Sequence, residues 1–288
     1  MLQFLAYALL CLIWGSTWLV IKVGYGGLGP FNVAALRFVI AGSVFVCLIP
    51  VLGARWPRGR SEWLLTLFIG TILFSADYGL IYWAEQQVDS GFTAIVFAVL
   101  PVMTSVAAHF YLESEPLTSR KLLGTIVAFA GCVALFADRV AIDKSQAWSM
   151  AAILGAAGCA TATILASKRY GGSLHAAGLN APAMLIGAFI LLVVAFAHGE
   201  RLALPSNAGA WGAVLYLSLA GSVVTFLIYF WLLKQWTATT MSLVNVVTPV
   251  VAVWLGWVFR AEKPTAWTGV GGVLILCGVS LTMSKRKT

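Results

Sequence analysis

The first apolar stretch of the chain carries an aromatic stripe that ends in a cation. Trp14, Trp18 and Lys22 follow one another at intervals of four residues, so a helix would place all three on one face. Two indole rings offer a stacking surface, and the ammonium group offers a partner for a carboxylate. Trp and Lys also gather at membrane interfaces, and this alternative fits Lys22 better than Trp14.

Ionisable side chains also occur inside apolar stretches, where they are costly. Arg37 and Asp77 would both lie roughly 20 Å from the same membrane face, given a rise of about 1.5 Å per residue. A charge at the centre of a spanning helix costs about 2.5–3.5 kcal/mol, so such groups face a cavity or each other. Asp77 could bind a proton or a substrate amine, or could pair structurally with Arg37 or Lys22.

Two further helical faces combine aromatic rings with hydroxyl groups. Tyr78 and Tyr82 share one face because they are four residues apart. A second face repeats this mixture later in the chain, at Ser222, Thr225, Phe226 and Tyr229. Apolar walls with a few placed polar groups are typical of small-molecule sites, and an aromatic ligand could stack there. Ordinary helix packing, with hydroxyls bonded to their own helix, is the alternative.

A segment that occurs twice relates these residues to each other. Residues 82–135 align with residues 230–281. The matched pairs include Trp83 with Trp231, Gln87 with Gln235, Pro101 with Pro249, Glu115 with Glu262, and Gly124 with Gly271. The duplication predicts two units, at residues 1–138 and 147–288, joined by a short linker.

The matched prolines, Pro101 and Pro249, predict kinks at equivalent places. Each proline frees the carbonyl four residues earlier, at Phe97 and Asn245. In hydrocarbon a freed carbonyl has to be packed or to face water. We expect the helices to bend at these prolines during gating, with Phe97 and Asn245 in contact with the substrate.

The elements that must position these residues are membrane helices. Of the 288 residues, 61% are hydrophobic and 10% are charged, against about 25% charged in soluble domains. A spanning helix needs about 20 mostly apolar residues. Such stretches fall at about 3–24, 31–53, 62–84, 90–112, 119–137, 147–168, 175–197, 208–233, 237–259 and 265–284. The sequence predicts an all-α integral membrane protein with ten transmembrane helices.

The number of spans in each repeat determines how the two repeats are oriented in the membrane. Five spans in each half is an odd number, so the second repeat would enter the membrane inverted relative to the first. Lys and Arg are more frequent in the loops on the side of both termini, which favours cytoplasmic termini. Inverted repeats can pack in two ways, each open to one side, with the ligand between them. A secondary transporter needs this arrangement, whereas a receptor or an enzyme does not.

Several other kinds of chemistry find no support in the sequence. The net charge of +8 lies mostly between spans, so no nucleic-acid partner is expected. The five cysteines lie inside apolar stretches and the histidines show no metal spacing, so neither a metal nor a cofactor is expected. A membrane-embedded transferase would need converging His, Asp or Cys at the membrane surface, and none is seen.

Several stretches, taken in order, resemble the EamA family of the drug/metabolite transporter superfamily. They are WGSTWLVIK at 14–22, Arg37 early in the second span, Pro101 followed by ESEPLT, and AEKPT before the last span. The resemblance covers nearly the whole chain and implies a ten-helix secondary transporter that exports small metabolites. Within the family the chain looks most like the YddG-type aromatic amino-acid exporters.

These observations together predict an exporter of aromatic or hydrophobic amino acids in a bacterial inner membrane, as a monomer or a homodimer. The expected substrate contacts are Trp14, Trp18, Tyr78, Tyr82, Phe97, Ser222, Tyr229 and Asn245, with Lys22 or Arg37 for the carboxylate and Asp77 for a proton or amine. A multidrug or sugar-phosphate carrier of the same fold is the alternative. Facilitated diffusion is as consistent with the sequence as proton coupling.

Overall fold

The computed structural model describes residues 1–135, 137, 146–172, 174–260 and 265–283. Within these residues all regular secondary structure is helical. The α-helices are α1 Leu2–Gly24, α2 Pro30–Val51, α3 Arg60–Thr71, α4 Tyr78–Ala84, α5 Ser90–Phe97, α6 Leu100–Tyr111, α7 Ser119–Leu135, α8 Ala147–Tyr170, α9 Ala176–Ala197, α10 Ala208–Ser218, α11 Thr225–Leu233, α12 Ala238–Ser242, α13 Val244–Arg260 and α14 Ala266–Met283. Most of the predicted linker, and Glu262, fall outside the described residues.

Nine helical stretches in the described part of the chain are long and apolar enough to cross a membrane. They correspond to the predicted spans with the exception of the fifth. That span matches α7, which has 17 residues and ends where the description of the chain is interrupted. The count of ten spans and the cytoplasmic position of the termini therefore stay predictions.

Several predicted spans are interrupted rather than continuous. A π-helix at Ile72–Asp77 joins α3 to α4, and a second π-helix at Leu219–Val224 joins α10 to α11. When the register that pairs Trp83 with Trp231 is continued backwards along the chain, these segments coincide to within one residue. A π-turn inserts one residue into a helix and is frequent at functional sites. Both π-helices face the middle of the molecule, where Asp77 and Ser222 are buried.

The fourth and ninth predicted spans are each divided into two helices. The fourth divides between α5 and α6, and Pro101 lies in the first turn of α6, where its missing N–H costs nothing. The ninth divides at Leu243, whereas Pro249 lies inside α13. The predicted kinks therefore fall at similar but not identical places in the two halves.

Close helix packing depends on glycine at two pairs of helices. α7 lies against α14, where Gly124 faces Gly278 and Gly131 faces Gly271, and a Cβ at any of these positions would meet backbone atoms within 3 Å. α3 lies against α9 in a similar way, because a Cβ at Gly70 would lie 2.8 Å from the carbonyl oxygen of Ala183 and a Cβ at Gly187 would lie 2.9 Å from that of Gly70. Small residues allow helix backbones to approach closely where no hydrophobic effect drives them together.

The two halves of the chain interlock through their first helices. α1 belongs to the first half but packs on α10, α11 and α13 of the second half. α8 belongs to the second half but packs on α4, α5 and α6 of the first half. The middle of the bundle is consequently bounded by helices from both copies.

Candidate functional site

A cavity of about 100 Å³ lies between the two halves. Its walls come from α1, α2, the first π-helix, α4, α5, α6, α8, α11 and α13. The lining residues are Trp14, Thr17, Trp18, Ile21, Arg37, Leu73, Asp77, Tyr78, Ile81, Phe97, Leu100, Ala160, Thr163, Ile164, Ser167, Phe226, Tyr229, Phe230, Asn245 and Thr248. The walls are largely apolar and aromatic, with few charged groups among them.

Most of the residues predicted to contact substrate lie around this cavity. Those in its wall are Trp14, Trp18, Arg37, Asp77, Tyr78, Phe97, Tyr229 and Asn245. Tyr82 and Ser222 are not in the wall, but both bond to the side chain of Arg37. Lys22 lies beyond the wall at the end of α1, where its ammonium donates to the carbonyl of Val88 at 3.1 Å.

Arg37 ties the two halves together beside the cavity. Its Nε donates to the hydroxyl of Ser222 at 2.9 Å, and its NH2 group donates to the carbonyl of Gly221 at 2.9 Å. Its NH1 group donates to the hydroxyl of Tyr82 at 3.2 Å, and the guanidinium lies 4.9 Å from the ring centre of Tyr78. The side chain is 1% exposed. Three of its N–H groups are therefore committed to protein acceptors.

Asp77 places a carboxylate in the same wall without an ion-pair partner. It ends the first π-helix and is 3% exposed, and within the described residues its Oδ1 has no hydrogen-bond partner. It forms a salt bridge with neither Arg37 nor Lys22; Lys22 instead lies 3.8 Å from Asp89. Burying an unpaired carboxylate is unfavourable unless a proton or a cation joins it. This carboxylate can therefore accept an ammonium group or a proton inside the cavity.

Aromatic rings surround the space next to these charged groups. The ring centre of Trp14 lies 5.4 Å from that of Tyr229 and 5.7 Å from that of Phe226. Trp18 lies 5.9 Å from Phe97 in an edge-to-face arrangement. The indole N–H of Trp14 donates to the carbonyl of Gly221 at 3.3 Å, so this residue offers its ring rather than its donor to a ligand. These separations are typical of favourable ring pairs, and a planar ligand could join them.

The contribution of α8 was not predicted residue by residue. Ala160, Thr163 and Ser167 of this helix line the cavity, and within the described part of the chain the hydroxyl of Ser167 has no partner. The spacing of Thr163 and Ser167 by four residues places them on one face. That spacing was a usable signal, but small residues in an alanine-rich helix are equally typical of close packing.

The proline neighbourhoods of the two halves differ at the cavity. Phe97 ends α5, and its ring lines the cavity where the fourth span divides. The carbonyl of Asn245, which Pro249 leaves without its helical donor, accepts from the hydroxyl of Thr248 at 3.4 Å. Asn245 and Thr248 both line the cavity. The role of Pro101 and Pro249 in gating stays a prediction.

The chain matches one protein family in each of its halves. The model of the EamA-like transporter family matches residues 2–137 and again residues 147–284. The chain belongs to the EamA-like transporter family. The resemblance seen in the sequence is thus confirmed at the level of the family.

Relatives of this EamA-like protein cover almost its whole length. The uncharacterized transporter YoaV of Bacillus subtilis is 30% identical over 96% of both chains. The uncharacterized inner membrane transporter YedA of Escherichia coli K12 is 30% identical over 96% of this chain and 89% of its own. A probable terminal-alkyne amino-acid exporter of Streptantibioticus cattleyicolor is 28% identical over 98% of this chain and 95% of its own.

A protein of known crystal structure shares the fold of this EamA-like chain. The two superpose with a TM-score of 0.82 at 19% identity, over 98% of this chain and 96% of the other. Fold, family and apolar helices together show a multi-pass membrane transporter. The related proteins carry the names of transporters rather than enzymes.

Proposed function

We propose that this protein is a secondary transporter that exports aromatic or hydrophobic amino acids across a bacterial inner membrane. The observation that carries the proposal is the cavity between the halves, where aromatic walls surround one unpaired carboxylate and one cation. An amino acid with a large side chain presents three matching groups: an ammonium, a carboxylate and an apolar body. The cavity offers a partner for each of them.

The expected pose follows from the chemistry of the wall. Asp77 accepts the ammonium group, because its carboxylate has an oxygen that no protein group satisfies. The substrate carboxylate faces the positive charge of Arg37, and the amide of Asn245 supplies further hydrogen bonds. The side chain stacks among Trp14, Trp18 and Phe97. Tyr82 and Ser222 hold Arg37 in place without contacting the substrate themselves.

Alternating access is supported by a pair of lysine contacts at equivalent positions. Lys22, near the end of α1, donates to the carbonyl of Val88. Lys168, near the end of α8, donates to the carbonyl of Trp236 at 2.6 Å. The alignment of the two copies pairs Val88 with Trp236. If α7 is the fifth span and the two five-helix repeats are inverted, these contacts lie at opposite ends of the cavity and close it from either side.

The names of relatives support the substrate class and the membrane. One relative is named as a probable amino-acid exporter and another as an inner membrane transporter. A substrate preference of the YddG type, for aromatic amino acids, agrees with the rings in the wall. The protein works as a monomer or a homodimer, and the glycines of α7 and α14 serve packing within one chain, because they face each other there.

Counterflow into proteoliposomes tests the substrate class. We expect preloaded Phe, Trp or Tyr to drive uptake of the same labelled amino acid, because the cavity matches a zwitterion with an aromatic body. The measurement runs with and without a pH gradient, and liposomes without protein are the control. If none of Phe, Trp, Tyr, Met and Thr is taken up, the amino-acid assignment fails. If uptake is the same with and without the pH gradient, Asp77 has no role in proton coupling and facilitated diffusion is favoured.

An exporter of cationic aromatic compounds is the second candidate, and the unpaired carboxylate of Asp77 favours it. Competition between tryptophan and tryptamine separates the two, because tryptamine keeps the ring and the ammonium group but lacks the carboxylate. An amino-acid exporter prefers tryptophan. A drug carrier binds tryptamine at least as well as tryptophan, because in such a carrier Arg37 does not bind a substrate carboxylate.

A further inference from the structure

A second carboxyl group is buried at the end of the bundle where α4 stops. Glu85 follows the last residue of α4 and is 2% exposed. Within the part of the chain that the structure describes, neither oxygen of its carboxyl group has a hydrogen-bond partner. It lies outside the cavity wall, and the transport mechanism proposed above makes no use of it. A buried carboxylate with no donor around it is unfavourable in its charged form.

Few polar groups face Glu85 from the neighbouring elements. Lys22 of α1 is the nearest cation, but its ammonium donates to the carbonyl of Val88 and lies 3.8 Å from Asp89. The hydroxyl of Tyr25, in the loop after α1, donates to the carbonyl of Tyr82 at 2.8 Å. Burial and the nearby carboxyl of Glu85 raise the pKa of Tyr25, so that its hydroxyl keeps its proton. Among the described residues, Lys22, Tyr25 and Tyr82 are the titratable groups that act on this carboxyl, and Asp89 is the partner of Lys22.

The equivalent position in the other half shows that the fold does not need a carboxyl group here. The alignment that pairs Trp83 with Trp231 pairs Glu85 with Leu233. Leu233 is also 2% exposed, and its carbonyl accepts from Lys168 at 2.7 Å. A leucine satisfies the packing at this place in the duplicated unit. The carboxyl group in the first half therefore requires another explanation.

The environment of Glu85 favours its protonated form. Burial raises the pKa of the Glu85 carboxyl from an ordinary 4.5 to about 8, and the positive charge of Lys22 opposes the shift without cancelling it. At neutral pH the group is then mostly uncharged in this arrangement. In contact with water its pKa would return to the ordinary range.

Glu85 also lies between a residue that contacts the cavity wall and the end of α4. It is one helical turn beyond Tyr82, whose hydroxyl accepts from Arg37 in the cavity wall. Tyr25 and Lys22 connect α1 to the segment that contains Glu85. In the proposed alternating access, a movement that opens this end separates α1 from that segment. The same movement exposes the carboxyl group of Glu85 to water.

We propose that Glu85 is a proton-binding site that holds this end of the transport path closed while it is protonated. On opening, the carboxylic acid meets water, its O–H bond breaks, and the carboxylate stays on the protein while the proton enters the solution on that side. On closing, the carboxylate takes one proton back from the same solution. The site therefore stands apart from any proton carried by Asp77.

The direction of the pH effect follows from this linkage. The pKa is higher in the closed form, so the closed form is favoured below the ordinary value of 4.5 and loses this advantage as the pH rises through about 8. Between these limits one linked proton changes the ratio of open to closed molecules about tenfold per pH unit. Above about pH 8 the ratio becomes independent of pH.

Infrared spectroscopy of the full chain in detergent tests the proton site without any substrate. We expect a carbonyl-stretch band of a protonated carboxylic acid that disappears with a midpoint near pH 8. Because Asp77 can contribute a band of its own, the comparison is made in the Asp77→Asn background. There the band should be absent when Glu85→Gln is added and present when Asp89→Asn is added, since the Asp89 carboxylate is exposed. A band that survives Glu85→Gln in that background, or a Glu85 band that titrates in the ordinary range, overturns the proposal.

Amide hydrogen exchange tests the gate. After correction for the intrinsic effect of pH, exchange of a peptide covering residues 85–92 should rise about tenfold from pH 6 to pH 7 in the native chain. Glu85→Gln should show no such rise, and Asp89→Asn should behave like the native chain. The gating role depends on the proposed alternating access, whereas the infrared band does not. If the infrared band titrates near pH 8 but amide exchange does not depend on pH, Glu85 binds a proton without acting as a gate. That result would overturn the gating part of the proposal.

Discussion

Replacing Arg37 with alanine is expected to lower the free energy of unfolding by about 3–5 kcal/mol. The substitution removes a fully buried side chain and leaves a hole between the halves. It also removes the hydrogen bonds that the hydroxyls of Ser222 and Tyr82 and the carbonyl of Gly221 accept from Arg37. Each of these buried acceptors then has one donor fewer, which costs free energy. We therefore expect the largest loss of melting temperature of any single cation on the protein.

Thermal unfolding in detergent, followed by intrinsic fluorescence, measures this effect. Arg169→Ala is the matched control, because Arg169 is exposed and its NH1 group donates to one carbonyl, that of Tyr111. That control should change the free energy of unfolding by no more than about 0.5 kcal/mol. Arg37→Lys should fall between the two, since it keeps the charge but not the planar fork. Equal melting temperatures for Arg37→Ala and Arg169→Ala would refute a role for Arg37 in joining the halves.

A single methyl group on α14 is expected to separate α14 from α7. In Gly271→Ala the new Cβ would lie 2.5 Å from the backbone nitrogen of Leu135 and 2.6 Å from the carbonyl oxygen of Gly131. Backbone atoms cannot yield as a flexible side chain does, so the helices must move apart. We expect a loss of about 3 kcal/mol, the upper end for overpacking of a well-packed interior.

Gly269→Ala is the control for this substitution on the same helix. A Cβ at Gly269 meets no atom of the described chain within 4 Å, and the position is exposed. Both substitutions gain the same helix propensity, up to about 1 kcal/mol. Their difference in melting temperature therefore isolates the contact with α7. If Gly271→Ala melts at or above the temperature of Gly269→Ala, the close approach of α7 and α14 is wrong.

The sequence predicted the helices well because lipid imposes a length and a polarity on each span. It did not predict their interruptions. Apolar composition does not encode the hydrogen-bond register, so the π-helices at Ile72–Asp77 and Leu219–Val224 left no signal. Pro101 marked the division between α5 and α6 closely. Pro249 did not mark the one at Leu243, since proline can also remain inside a helix when its carbonyl finds another donor.

The cavity was only partly predictable for a related reason. Helical spacing places Trp14 and Trp18 on one face, and a charge in an apolar span made Asp77 conspicuous. Lys22 follows the same spacing, yet one more turn carries it past the cavity wall to Val88. Glu85 was overlooked because a glutamate at the end of a span resembles a solvated turn. Its burial depends on helices that are distant in the sequence.

The central claim is that the cavity between the halves is the path of the substrate. Ala160 of α8 lines it, whereas Ala162 of the same helix is exposed on the outer surface of the bundle. An indole at position 160 would occupy much of a space of about 100 Å³. The same indole at position 162 would face the surroundings. Ala160→Trp and Ala162→Trp therefore differ mainly in whether the cavity is filled.

Counterflow of labelled phenylalanine through these two variants is the most direct test. Ala160→Phe, with a smaller ring, accompanies Ala160→Trp, and the melting temperature of each variant establishes that it is folded. We predict that filling position 160 abolishes exchange in folded protein, while Ala162→Trp exchanges at the native rate. Native exchange through a folded Ala160→Trp variant would show that the substrate does not pass through this cavity.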